Sequence, residues 1–393
     1  MAQEGFVCRG FTGSDQIFAC AKEPYPIGNS LAHYFGYIYV QDVSSILPVR
    51  LLDPPRGSVV LDLCASPGSK TSQLARAVGP RGLIAANESN VSRLATLRAN
   101  LKRLNLINVI TSGYNGRDLE VEGLKFDYIL LDVPCSGWGT LNKNPGAARI
   151  WTGDKLSSLT SLQKTLLESA ARLLSPGGRL VYSTCTTNED ENEKQIHWAR
   201  KELCLKSREP GSFLPEPSDF PEIETTGPAM MRVKGSQAGG QDFFMASLTS
   251  ALEKDPVNNV STGVLKKPHG ELVAFAEDMR QPESGNLWNF SGNVFFVPDR
   301  AWELLSMGFA GQGTHVGRKK GEKFILSPRM RVFLPRDGAQ KGFNTPDLNL
   351  VRSLVSGQSL NYSSSKSLVG FYLQDLALGW LKVKNKRALW SDR

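Results

Sequence analysis

The chain has 393 residues, a formal net charge of +8 and 21% charged residues, which is the profile of an ordinary globular protein. At this length two or three domains are expected, and roughly three quarters of the unfolded surface can be buried without covalent staples. Six Cys with no zinc-finger spacing argue against a disulfide scaffold or a metal site. No apolar run approaches the roughly eighteen residues of a membrane span, and "MAQEGFVCRG" lacks the marks of a signal peptide. A metal-free, cytoplasmic, monomeric protein off the membrane is expected.

The charge is uneven. From residue 251 onward there are 20 Lys and Arg against 13 Asp and Glu, while the first 250 residues are nearly neutral. A basic appendage on a neutral body points to a polyanionic partner.

In chain order, residues 1–57 read as a lead-in, with "LAHYFGYIYVQDVSSILPVRLL" packing on the sheet of the next domain. From residue 58 apolar runs rich in β-branched residues alternate with helical patterns. "SVVLDLCA", "GLIAANE", "FDYILLDVP" and "GGRLVYSTC" read as buried parallel strands. Between them, "SKTSQLARAVG", "NVSRLATLRANLKRLN" and "SLTSLQKTLLESAARLLSPGG" read as helices, the second with Leu94, Leu97, Leu101 and Leu104 on one face. "DFFMASL" reads as a late antiparallel edge strand. The fold class is therefore α/β, a doubly wound and mostly parallel Rossmann-like sheet over residues 58–250. Residues 205–240 read as a long loop and 251–262 as a linker. Over 263–393, "NVFFVP", "KFILSP", "RVFLP" and "ALGWLKVKN" read as strands of a β-rich region, with a helix at "DRAWELLSMGFA".

The first strand-to-helix turn, "LDLCASPGSKT", bends at Pro67-Gly68, and Glu88 ends the next strand. A glycine lets a ligand approach the backbone, and an acid at the second strand end can hold ribose hydroxyls. Neither GxGxxG nor GxxxxGK[ST] is present, so adenosine without a pyrophosphate fits better than a dinucleotide or a nucleoside triphosphate. S-adenosylmethionine is the expected cofactor.

Cys135 and Cys185 each follow a parallel strand, where side chains face the ligand crevice. One such Cys is more often a small buried residue than a nucleophile. Two of them around a methyl-donor site suit the methylation of a pyrimidine ring carbon. Thiolate addition at position 6 makes position 5 enamine-like and able to take a methyl group. The thiol has to ionise, so its pKa should lie below the free value of about 8.5. Asp132, in the same turn as Cys135, is placed to hydrogen-bond a cytosine edge, and Lys70 to neutralise the site or orient Asp132.

The stretches "CASPGSKT", "ANESNVSR", "LLDVPCSGWGTLNKNP" and "YSTCTTNEDENE" resemble the Sun-type RNA cytosine-5 methyltransferases, in particular their bacterial small-subunit rRNA branch. "YVQDVSSILPV" and "QDFFMASL" match family blocks as well, so the likeness covers roughly residues 30–250. The tail "ALGWLKVKN" resembles the PUA-like RNA-binding domain of the same enzymes. The resemblance implies a class I methyltransferase that makes 5-methylcytosine in rRNA. It also implies Cys185 as the nucleophile, Cys135 as the thiol that assists product release, and Asp132 as the cytosine-binding group. The cofactor would lie on Cys64, Ala65, Ser66, Pro67, Gly68, Ser69, Lys70 and Asp132, with Glu88 on its ribose, Arg93 supporting Glu88 and Asn115 near the adenine. Asn115 stands where relatives usually carry Asp, and Ser66 and Ser69 replace the commoner Ala and Gly.

The target base must leave its stack, at a cost of a few kcal/mol. The basic segment 318–331, with Arg318, Lys319, Lys320, Lys323, Arg329 and Arg331, is the expected RNA contact that offsets this cost. Two other readings stay open here: a tRNA substrate, and an RNA-binding ribosome-assembly factor with vestigial catalysis. An amino-group methyltransferase is disfavoured because no Asn/Asp-Pro-Pro-aromatic turn stands at "DVPCSGWG".

Overall fold

The computed structural model describes residues 1–11, 16–143, 145–146, 150, 153–210, 220–238, 240–252, 270–321 and 323–392. A short hairpin, β1 (Val7–Gly10) and β2 (Phe18–Lys22), opens the chain. The central sheet is built from β3 (Val59–Asp62), β4 (Leu83–Asn87), β5 (Val109–Ser112), β6 (Phe126–Asp132), β7 (Leu174–Thr184), β8 (Leu205–Ser207), β9 (Ile223–Gly227), β10 (Met230–Val233) and β11 (Phe243–Ser250). Its order is β5-β4-β3-β6-β7-β11-β10-β9, with β8 on the flank of β11. The strands from β5 to β7 run parallel, and β11 lies antiparallel to β7. The order reverses between β3 and β6. A crevice therefore opens at the carboxyl ends of these two strands, where such sheets bind ligands.

The expected parallel strands and the antiparallel β11 are all present. Helices Ser69–Val78, Val91–Leu104 and Asp154–Leu173 connect them. The predicted leucine face of the second is buried, through Leu94, Leu97, Leu101 and Leu104. Asn90 caps that helix by accepting from the amides of Ser92 and Arg93.

Three expectations are corrected. The edge strand β5 was not anticipated. Residues 205–240 are not simply a loop, because β8, β9 and β10 extend the sheet. "RVFLP" is no strand: Arg331–Phe333 forms a 3-10 turn that aims Arg331 inward. Residues 253–262 of the expected linker lie outside the described residues.

Beyond residue 270 stand two five-stranded sheets. The first is an antiparallel meander of β12 (Glu271–Val273), β13 (Asn286–Phe290), β14 (Asn293–Val297), β15 (Thr314–Lys320) and β16 (Lys323–Leu326). The second comprises β17 (Phe343–Thr345), β18 (Ser359–Asn361), β19 (Leu368–Leu373), β20 (Leu376–Lys384) and β21 (Arg387–Leu389), in the order β17-β19-β20-β21-β18. The meander abuts the β5 edge: Thr111 and Gln312 exchange backbone hydrogen bonds at 2.8 Å, and Phe295, Val297, Leu304 and Phe309 join the central core.

The lead-in touches both halves. Leu47, Val49, Leu51 and Leu52 pack in the core of the central sheet, whereas Leu31 and Phe35 pack with Val351, Phe371 and Trp390 of the last sheet. No described helix is long and apolar enough to cross a membrane.

Candidate active site

Asp132 ends β6 beside the reversal point. Its Oδ2 accepts from Lys70 Nζ at 2.7 Å, and its Oδ1 accepts from Ser183 Oγ on β7 at 2.7 Å. Lys70 stands in the first turn of helix Ser69–Val78 and is largely covered, with Nζ 4.9 Å from the centre of the Phe243 ring. That turn is braced by the lead-in, since Gln41 Oε1 accepts from Ser69 Oγ at 2.8 Å and from Gln73 Nε2 at 2.9 Å.

The two strand-end cysteines meet. Cys135 Sγ and Cys185 Sγ are 3.2 Å apart, both partly buried and both free. The two thiols are in hydrogen-bond contact. The hydrogen bond from Cys135 holds the Cys185 thiol below its ordinary value, with Lys70 helping while burial and Asp132 oppose. That same bond, together with burial, raises Cys135 well above its ordinary value. Cys185 is taken as the acceptor because Lys70 is among the charges that favour its thiolate.

Behind the pair sits a carboxylate to which the sequence alone assigns no role. Glu191, fully buried, accepts from the Ser136 amide at 2.8 Å, Ser136 Oγ at 2.5 Å and Gln163 Nε2 at 3.0 Å. It also accepts from Thr186 Oγ1 at 3.3 Å and Asn188 Nδ2 at 3.2 Å. Ser136 follows Cys135 and Thr186 follows Cys185, and their hydroxyls are 2.8 Å apart. Glu191 thus ties together the two loops that carry the thiols. Asn192 adds to this by accepting from Thr184 Oγ1 at 2.6 Å and donating to the Thr186 carbonyl at 2.9 Å. The signal available in the sequence was the acidic run "NEDENE" after Cys185: a carboxylate there has to find donors if it is buried. The close approach of the loops also needs Gly139. Its amide bonds the Cys185 carbonyl at 3.0 Å, and a Cβ at this position would fall 2.3 Å from the Asp242 carbonyl oxygen.

The loop Cys64–Lys70 joins β3 to its helix. Gly68 caps the helix at φ +104, a conformation that favours glycine, and a Cβ there would meet Leu97. Glu88, after β4, is buried. Its Oε1 accepts from the Asn90 amide at 2.9 Å and its Oε2 lies 3.5 Å from Arg93, which also donates to the Ser66 carbonyl at 3.0 Å. Asn115 is exposed and donates to Asp118 Oδ2 at 2.6 Å. Burial raises the Cys64 thiol far above its ordinary value, with the Asp62, Asp132 and Glu88 charges adding to the rise. Beneath the loop, Asp62 Oδ1 is buried without a hydrogen-bond partner among the described residues, and burial pushes Asp62 up to about 7. A glycine cradle, a buried acid at the second strand end and an unmet acceptor fit a nucleoside carrying an ammonium group.

The six basic residues expected to contact RNA do not share one face. Arg318, Lys320 and Lys323 are exposed, and Lys319 pairs with Glu271. Arg329 and Arg331 are corrections, because both are spent inside the fold. Arg329 pairs with Asp392, donates to the Tyr34 carbonyl at 2.7 Å and lies over the Tyr34 ring. Arg331 donates to the carbonyls of Phe35, Gly36, Arg103 and Leu104 and lies over Tyr37. It thereby satisfies the carbonyls that end helix Val91–Leu104. No metal-binding group of His, Cys, Asp and Glu occurs among the described residues.

A parallel sheet with one order reversal, an antiparallel strand beside β7 and a nucleoside cradle after β3 define the class I methyltransferase fold. The family model described as "16S rRNA methyltransferase RsmB/F" matches residues 49–249, just over half of the chain, and the chain belongs to that family. It is 35% identical over 297 residues to the ribosomal RNA small subunit methyltransferase F of Enterobacter sp. (strain 638), covering 70% of this chain and 60% of that protein. It is 34% identical over 299 residues to the protein of the same name from Salmonella agona, covering 72% and 62%. The chain thus spans about three fifths of the length of these relatives. Among solved structures, a methyltransferase homolog protein from Pyrococcus horikoshii aligns with a TM-score of 0.54 and 32% identity, covering 63% of this chain and 80% of that one. NSun6 from the same organism, solved with SFG, aligns at 0.51 and 30%, covering 58% and 56%.

Proposed function

We propose that this protein is an S-adenosylmethionine-dependent RNA methyltransferase that forms 5-methylcytosine in small-subunit rRNA. The observation that carries the reading is the 3.2 Å thiol pair at the ends of two neighbouring parallel strands, beside the Lys70–Asp132 ion pair. The family match and the names of the curated relatives support it, as does the capture of NSun6 with SFG, an analogue of the methyl donor.

The Cys64–Lys70 loop, Asp62, Glu88 and Arg93 would hold S-adenosylmethionine, which when bound supplies an electrophilic methyl group. The Asp132 carboxylate keeps lone pairs free beyond those used by Lys70 and Ser183, and these accept the exocyclic amine of a flipped cytosine. Lys70 fixes the orientation of Asp132. The Cys185 thiolate adds to ring carbon 6, which makes carbon 5 the nucleophile for the methyl group.

Cys135 serves release. While Cys185 is an anion, the bond between the two thiols disfavours a second ionisation. Once Cys185 is a thioether its charge is gone, and Cys135 can lose its proton to solvent. The Cys135 thiolate then takes the proton from carbon 5, the bond from sulfur to carbon 6 breaks, and 5-methylcytosine leaves with Cys185 restored as a thiolate. One pair of thiols therefore takes its two turns in order. Glu191 is the positioning residue that keeps them in contact.

The test is transfer of labelled methyl from S-adenosylmethionine to a small-subunit rRNA transcript by purified protein, mapped by bisulfite sequencing. Label at a single cytosine supports the reading. RNA binding without label would favour an assembly factor.

A further inference from the structure

A second feature lies away from the thiols, at the seam between helix Val91–Leu104 and the meander. A cavity of about 140 Å³ is lined by Arg98, Lys102, Phe295 and His315, with Thr111 and Gln312 at its β5 side. Arg98 Nε donates to Thr111 Oγ1 at 2.9 Å, which fixes the guanidinium while leaving its terminal nitrogens without an acceptor among the described residues. Among those residues, neither Lys102 Nζ nor the exposed Arg318 guanidinium meets a carboxylate there. Asp392, which acts on Lys102 through space, is paired with Arg329. Lys102 and Arg318 are close enough to lower one another's neighbour His315, after burial, so its ring is neutral at pH 7 and packs edge-on to Phe295 at 5.2 Å.

Like charges gathered at a seam repel one another unless an anion joins them. The cavity walls are mainly carbon, with Phe295 and the neutral His315 ring among them. The chemistry that matches both halves is a planar base carrying a phosphate. We propose that this seam binds one unpaired nucleotide of the RNA substrate, with the base against Phe295 and His315 and its phosphates on Arg98, Lys102 and Arg318. This deepens the functional reading above and rests on it. It reassigns Arg318 from the basic segment to a site completed by helix residues that no basic run in the sequence marks. A base–aromatic contact is worth about 1–3 kcal/mol whatever the base, so the seam would add grip and leave target choice to the crevice.

The test uses the full chain and a small-subunit rRNA transcript. Arg98→Ala with Lys102→Ala should weaken binding about tenfold and reduce the slope of log affinity against log salt by about 1.4–1.8, the loss of two phosphate contacts. S-adenosylmethionine affinity and the rate at saturating RNA should stay at parental values. Thiouridine-substituted RNA should photo-crosslink to a peptide containing Phe295 or His315. Parental affinity and slope in the double variant, or crosslinks confined to other peptides, would overturn the seam while leaving methylation intact. A parental protein that neither binds nor methylates RNA would remove the functional reading along with it.

Discussion

Cys135 and Cys185 are 50 residues apart in sequence and their sulfurs are 3.2 Å apart in space. Arg318 and Arg331 lie within one short basic segment, yet one is exposed and the other binds four internal carbonyls. The contrast shows what each kind of sequence signal is worth. A residue at the carboxyl end of a parallel strand has its position set by the ladder, so residues read there as neighbours meet in the fold. A run of cations carries no such constraint. A strand end, a turn or a buried carbonyl can redirect each member separately.

Substitutions sharpen that contrast. The largest effect is expected from Cys185→Ala, which should lower turnover by at least about a thousandfold while cofactor binding, followed by calorimetry, is kept. Turnover near the parental rate would break the strand-end half of the comparison.

Next comes Glu191→Gln. It replaces Oε1, which accepts from Ser136 Oγ, Thr186 Oγ1 and Asn188 Nδ2, with an NH2 that can only donate, and so loosens the two thiol loops. The maximal rate should fall about a hundredfold, the order of cost of misplacing a reacting group by about an ångström. Cys185 is held below its ordinary value by contact with Cys135. The midpoint of its alkylation against pH should therefore move up in the variant, toward that of an ordinary thiol. A rate loss with an unmoved alkylation profile would make Glu191 merely structural.

In the basic segment the readout should switch from function to stability. Arg331→Ala leaves four carbonyls short of a donor and should cost about 2–4 kcal/mol in denaturant unfolding. Arg318→Ala should leave unfolding unchanged. Equal stability of the two variants would contradict the split.

The last effect is on stability against pH and concerns Asp62. Its pKa rises from 3.8 to about 7 on folding, so the folded state binds more protons than the unfolded one between those values. Its contribution to stability is present below that window and is lost as pH rises through it. Asp62→Asn should flatten unfolding free energy against pH over this range, and parallel profiles would sink the assignment.

Much of the central sheet could be read from residues alone, because buried parallel strands write themselves as apolar runs closed by turn residues. The edge strand β5 escaped because its short run "NVITS" carries polar residues at both ends, and its outer neighbour is the distant Gln312. The β9–β10 hairpin escaped because Gly227 and Pro228 made it look like open loop. The crevice residues Asp132, Cys135 and Cys185 stood out by chemistry and position, and Glu88 by spacing. Glu191 and Gln163 did not, since a buried carboxylate is recognisable only once its donors are in place. Residues of the seam such as Arg98 and Lys102 read as an ordinary solvated helix face until the meander closes over it.

The central claim is that the two thiols act in turn, Cys185 bonding the base and Cys135 releasing it. Mixing the Cys135→Ala protein with S-adenosylmethionine and rRNA transcript tests it most directly. The account predicts a protein–RNA species that survives denaturing electrophoresis, with mass spectrometry placing a methylated cytosine on Cys185. Free turnover by that variant, or a trapped adduct on Cys135 in the Cys185→Ala protein, would contradict it.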